Sequence, residues 1–179
     1  MEKLSKQTIN IIRTTQRNNI DLTQLADNKA NVLLSLNAIM ITFLLPMILS
    51  NLEVILEAYL FIPLIILAIT CFSTIYISAI VLKPSNLDEY RESSTDDPDA
   101  QLSPFFFGNF HKMSPEEFFD YMGESASNTE LVKAHLIQDL YYIGRRLGYK
   151  MDRIRLAFNI FLIGLFLTFI SAGIVIYFL

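Results

Sequence analysis

ANVLLSLNAIMITFLLPMILSNL occupies residues 30–52 and decides the fold. It contains no charged residue over a length greater than the ~20 that a helix needs to cross hydrocarbon. Working outward, two more windows lack charge altogether, Ala58 to Leu82 and Leu156 to Leu179. A buried soluble helix seldom runs so far without an ionic side chain, so all three are read as membrane spans. The first is preceded by about thirty polar residues and lacks a small-residue cleavage site, which sets it apart from a secretory signal.

The link between the first two windows, Ser50 to Glu57, is short enough to force an antiparallel hairpin. Orientation follows from the basic residues, because lysine and arginine near span ends stay on the cytoplasmic side. None of the fourteen lies in the hairpin link: Lys3, Lys6, Arg13, Arg17 and Lys29 precede the first span, and the rest fall between Lys83 and Arg155. The expected topology is a multi-pass protein with its N-terminus and central region in the cytoplasm and its hairpin turn and C-terminus outside.

The fold class expected is therefore all-α, an integral membrane protein of three transmembrane helices whose long N- and C-terminal helices extend into a cytoplasmic helical bundle. Its expected segments are a cytoplasmic helix (1–29), a first span (30–52), an external turn (53–57) and a second span (58–82). A cytoplasmic linker with an aromatic cluster and a short helix (83–128), a cytoplasmic helix (129–155) and a third span (156–179) complete the chain.

Local signals place the boundaries. No glycine or proline precedes Ala30, so the N-terminal helix is expected to run straight into the first span, with Ile9, Ile12 and Ile20 on a loose apolar face. Lys83-Pro84-Ser85 ends the second span. An acidic tract, Asp88 to Asp99, reads as a solvated linker. Ser114-Pro115-Glu116-Glu117 is a capping box with proline at the first helical position, predicting a short helix to about Met122. Ser127 and Glu130 repeat the spacing and open a final helix longer than about 70 Å at ~1.5 Å per residue. In its first half, Leu136, Leu140, Ile143, Leu147, Met151 and Ile154 share one face.

In lipid, helices associate through small and polar residues. Asp27, Asn31, Ser35 and Thr42 form such a stripe on the first span, Thr70, Thr74 and Ser78 on the second, and Gly164, Thr168 and Ala172 on the third. Three spans cannot enclose an aqueous pore, so any ion pathway requires a homo-oligomer.

Catalytic signals are missing. His111 and His135 stand far apart, are read as having no acidic or cysteine neighbour at metal-ligand spacing, and are expected to be structural or solvated. Glu116, Glu117 and Asp120 belong to a first helical turn, where capping explains them. Cys71 is the one cysteine and reads as a small apolar helix residue. No phosphate loop, nucleophile motif or metal signature is present, so the expectation is no catalytic residue, no metal, no cofactor and no enzyme. The net charge of −4 does not favour a nucleic-acid polymer as partner.

More informative is a belt of basic and aromatic residues: Lys29, Tyr141, Tyr142, Arg145, Arg146, Tyr149, Lys150, Arg153 and Arg155. Headgroup anchoring explains most such belts. The other reading is a site for an anionic small molecule, with cations on phosphate and rings on a base.

Three stretches tip the balance. Ala26-Asp27-Asn28-Lys29-Ala30-Asn31-Val32-Leu33-Leu34 running into a span resembles the Pycsar transmembrane effector family. Ser103-Pro104-Phe105-Phe106-Phe107-Gly108, followed by the Ser-Pro-Glu-Glu-Phe helix start, is similar to that family's central motif, and Leu147-Gly148-Tyr149-Lys150 to its third. The resemblance matches Asp27, Lys29 and Asn31 to the first block, Pro104, Phe105, Phe106 and Phe107 to the second, and Tyr149 and Lys150 to the third. It implies an antiphage effector that senses a cyclic pyrimidine nucleotide, cUMP or cCMP, made by a separate cyclase. The implied outcome is impaired inner-membrane integrity and abortive infection, with the nucleotide as activating ligand. Of the matched and nearby residues, Lys29, Arg145 and Lys150 are assigned here to the phosphate, and Phe106 and Tyr149 to the base. The competing expectation is a nonenzymatic membrane scaffold that recruits a protein through its cytoplasmic helices.

Overall fold

The computed structural model describes residues 6–84, 103, 105, 110, 111 and 113–178. Helix accounts for 92 % of them, with no strand. Helix α1 (Lys6–Ser50) is a single run of 45 residues, as the lack of early helix breakers predicts. Its one proline, Pro46, falls in the last turns, where the lost amide costs one bond near an end that frays in any case.

The expected external turn is itself a short helix, α2 (Leu52–Glu57). It closes with Tyr59 at φ 52°, in the left-handed region. The Leu60 amide donates to the Ile55 carbonyl at 3.0 Å and the Tyr59 amide to Leu56 at 3.3 Å, a pair that satisfies the orphan carbonyls of a helix end. Glycine usually fills such a position; here a tyrosine does.

Helix α3 (Phe61–Leu82) stops where expected, and Lys83 turns to φ −57°, ψ 130°, the extended backbone imposed on a residue before proline. Helix α4 (Pro115–Ser127) begins with the complete capping box, the Ser114 side chain accepting from the Glu117 amide and the Glu117 side chain from the Ser114 amide. It continues past Met122 through Gly123, which costs a helix only about 1 kcal/mol relative to alanine. Helix α5 (Thr129–Phe178) spans 50 residues. Its cap is Asn128, not Ser127: Asn128 Oδ1 accepts from the Glu130 and Leu131 amides, while the Ser127 hydroxyl donates back to the Gly123 carbonyl inside α4.

Two compact units divide the chain, and α1 and α5 contribute to both. The first comprises residues 1–22 and 84–148. Within it Ile12 is buried whereas Ile9 and Ile20 are exposed, so the loose N-terminal face contributes one anchor rather than three.

The second unit comprises residues 23–83 and 149–179. Ala26, Ala30, Val81 and Ile154 form one core cluster, and Leu33, Ile77 and Ala157 the next. As the α1 numbers rise the α3 numbers fall and the α5 numbers rise, so α3 runs antiparallel to α1 and α5 parallel to it. The hairpin is thus confirmed by register. The packing face of α1 is Ala26, Ala30, Leu33 and Asn37, not the predicted Asn31, Ser35 and Thr42, which are exposed. Alanines let the neighbouring backbones approach closely, one of the ways helices associate in lipid. The polar stripe predicted on α3 is buried in full, at Thr70, Thr74 and Ser78. On α5, Gly164 is buried so tightly that an added Cβ would fall on the Thr70 side chain.

Asn37, Thr70, Thr74 and Thr168 each return a polar hydrogen to the carbonyl four residues back on their own helix. That pattern lets a polar side chain reside in an apolar medium without a partner helix. Among the described residues, three helices are long and apolar enough to cross a membrane, and only 11, 28 and 6 % of their most apolar windows is buried inside the chain. The remaining surface suits lipid.

Candidate functional site

Each unit gathers a polar group. In the second unit, the first turn of α1 beyond residue 23 and the middle of α5 bring two family-motif residues into contact. Lys150 Nζ donates to Asp27 Oδ1 at 2.6 Å, with the lysine side chain 15 % exposed and the aspartate 34 %. Residues 123 apart in sequence are thereby joined in one partly buried ion pair. Lys29 and Asn31 are exposed on α1. Tyr149 is half exposed, and the Arg153 guanidinium one turn later stands 5.0 Å from its ring centroid, a cation–π stack on the aromatic face assigned to a base.

The assigned residues therefore divide. Asp27, Lys29, Asn31, Tyr149 and Lys150 belong to the second unit and Arg145, exposed on α5, to the first. Pro104, Phe106 and Phe107 lie outside the described residues. Of the three cations assigned to phosphate, Lys150 already holds a carboxylate.

The first unit contains a group that reading the sequence missed. His135 and Asp139 lie one turn apart on α5 and are 2 % and 4 % exposed. Asp139 is thus the acidic neighbour at i+4 that His135 was read as lacking. The Ser103 hydroxyl donates to Asp139 Oδ2 at 2.8 Å and accepts from the Phe105 amide at 3.3 Å, so the start of the aromatic motif is tied to α5. The Phe105 ring stands edge-on to the imidazole, centroids 6.3 Å apart. Asp139 Oδ1 and both ring nitrogens of His135 are buried and have no hydrogen-bond partner among the described residues. Burial raises the Asp139 pKa, against the opposing influence of the Ser103 hydrogen bond and of His135.

The signal for this group was the i, i+4 spacing of a histidine and an aspartate beside an apolar stripe. The stripe itself hid it: Leu136 and Leu140 each follow one of the polar residues by one position, so the eye takes the face for plain core. Among the described residues no three His, Cys, Asp or Glu side chains gather as a metal set. Elsewhere in this unit Phe110 packs on Phe118, centroids 5.0 Å apart, and holds the chain ahead of α4 against it.

Chemically, each group carries side chains that can hold a ligand. Both offer recognition: exposed cations with an aromatic ring in one, buried donors and acceptors with an aromatic ring in the other. No curated protein and no solved structure gives a significant match to the chain. A family model does, that of the Pycsar effector protein domain, PycTM, and it matches residues 10–177. That match takes in nearly the whole of the five helices among the described residues and both polar groups, and on it the chain belongs to the Pycsar effector family, a membrane protein of antiphage defence.

Proposed function

We propose that a cyclic pyrimidine nucleotide, cUMP or cCMP, activates this effector and that the activated protein permeabilises the bacterial inner membrane, ending infection by abortive death of the cell. The carrying observation is that one family match embraces both the three apolar helices and the polar region between the second and third. The family implies a nucleotide signal from a separate cyclase. In this reading the nucleotide is a ligand, not a cofactor, and the protein catalyses nothing.

A ligand shifts an equilibrium only by its differential affinity for two states. Three spans per copy enclose no pore, so the permeable state is an assembly of several copies. The Asp27–Lys150 pair supplies one element with two arrangements: a phosphate that takes Lys150 displaces Asp27 and loosens α1 from α5. Lys29 and Arg145, both exposed, need no such exchange.

The test is membrane potential reported by dye in liposomes containing the purified full-length protein, with cUMP, cCMP and cyclic AMP added separately. Depolarisation by one or both pyrimidines and not by cyclic AMP is expected. Silence towards both pyrimidines, from protein shown to be inserted, rejects the reading. Arg145→Ala is expected to abolish the response without affecting insertion; a full response rejects that residue's assignment.

A further inference from the structure

We propose that His135 and Asp139, walled by Phe105, read the edge of the pyrimidine base. This inference rests on the ligand proposed above and moves its base away from Tyr149, to which the sequence reading assigned it, to the group around His135 and Asp139.

The argument begins with three buried heteroatoms, Asp139 Oδ1, His135 Nδ1 and His135 Nε2, that have no hydrogen-bond partner among the described residues. Leaving one such atom unsatisfied costs about 1–3 kcal/mol, and native interiors seldom tolerate it without a use. These three lie within one turn of one helix, at less than a twentieth exposed. Beside the imidazole stands the edge of the Phe105 ring.

The set is also chemically particular. Ser103 occupies Asp139 Oδ2 and so leaves the other oxygen as the acceptor. A neutral imidazole adds one N–H donor and one lone pair. Acceptor beside donor is what a pyrimidine edge requires. Uracil presents N3–H to the carboxylate and a flanking carbonyl to the imidazole N–H; cytosine presents its amino group to the carboxylate and N3 to the same N–H. A phosphate fits poorly, because the Asp139 carboxylate repels it. The base therefore goes here and the phosphate to Arg145, the exposed cation of the same unit.

The experiment is calorimetric titration of the full-length protein in lipid nanodiscs with cUMP and with cCMP. His135→Leu removes the donor yet leaves an apolar side chain in an apolar surrounding, and is expected to weaken binding by about ten- to a hundredfold. Asp139→Asn, which presents either an oxygen or an NH2, is expected to change the ratio of the cUMP and cCMP affinities. A second readout needs no altered site: in protein carrying 15N-histidine, the His135 ring signals, assigned with His111→Gln, are expected to move when nucleotide is added. Unchanged affinities in both folded variants, or His135 signals that stay in place while the nucleotide binds, overturn the assignment and leave the proposed ligand standing. Wild-type protein that binds neither nucleotide overturns both.

Discussion

At the scale of single residues, two polar pairs behave differently because their surroundings differ. Asp27 and Lys150 are neither solvated nor sealed, so their coupling should exceed the ~0.2–1 kcal/mol of an exposed pair and fall short of the ~3–5 kcal/mol lost when a fully buried pair is broken. A double-mutant cycle with Asp27→Asn and Lys150→Met, read by denaturation in micelles, is expected to give a coupling of about 1–2 kcal/mol. Additive single effects would show that the contact does nothing for α1 and α5. Asp139 makes the opposite case. Its folded pKa is raised by burial, so the native state binds that proton more tightly than the unfolded chain does. The stabilising contribution is present below the ordinary aspartate value of ~3.9 and is lost as pH rises through the raised one. Relative to Asp139→Asn, the wild-type melting temperature is expected to fall as pH is raised from about 4, and parallel curves would refute the buried carboxyl.

Among the elements, what was legible in the sequence was what chain chemistry dictates locally. Pro84 had to end α3, and Ser114 with Glu117 had to start α4, because an amide is missing at one and an orphan amide is satisfied at the other. Charge-free windows announced the spans for the same reason: lipid leaves few alternatives. Which face of a span packs was less legible, since small and polar residues both mark packing faces in hydrocarbon and neither alone decides. Ala26 and Ala30 face inward on α1 while Asn31 and Ser35 do not, yet on α3 the polar stripe is the inner one. The left-handed Tyr59 was hidden too, because no glycine or asparagine marks it. The contact that reads the same from sequence and structure is Gly164. Gly164→Leu is expected to force α3 and α5 apart and destabilise the protein by about 1–3 kcal/mol or more. Gly173→Ala, where a Cβ meets nothing within 4 Å, is the matched control and should leave the melting temperature near wild type. Equal effects of the two would mean that the tight approach to Thr70 carries no packing energy.

For the whole molecule, the decisive variable is which side of the bilayer each loop faces, because a nucleotide made in the cytoplasm cannot reach a site held outside. All fourteen lysines and arginines avoid the hairpin link, and that link still carries Glu53 and Glu57. Holding a cationic loop back costs the cell nothing, whereas carrying it across an energised membrane works against the potential at about 2.3 kcal/mol per charge per 100 mV. The link is the segment of lowest transfer cost, so it is the one expected outside. Glu57 and Ser127 are both exposed, and Cys71 is buried, which makes cysteine labelling practicable. In a Cys71→Ser background, Glu57→Cys is expected to react with an impermeant maleimide in intact spheroplasts, and Ser127→Cys only after the membrane is opened. Labelling in the reverse order would put His135, Asp139 and Arg145 beyond the reach of a cytoplasmic messenger, and a nucleotide-gated effector would then need an imported ligand or a different sensor. Labelling in the expected order leaves the charge asymmetry and the site on the same side, where one signal can act on both.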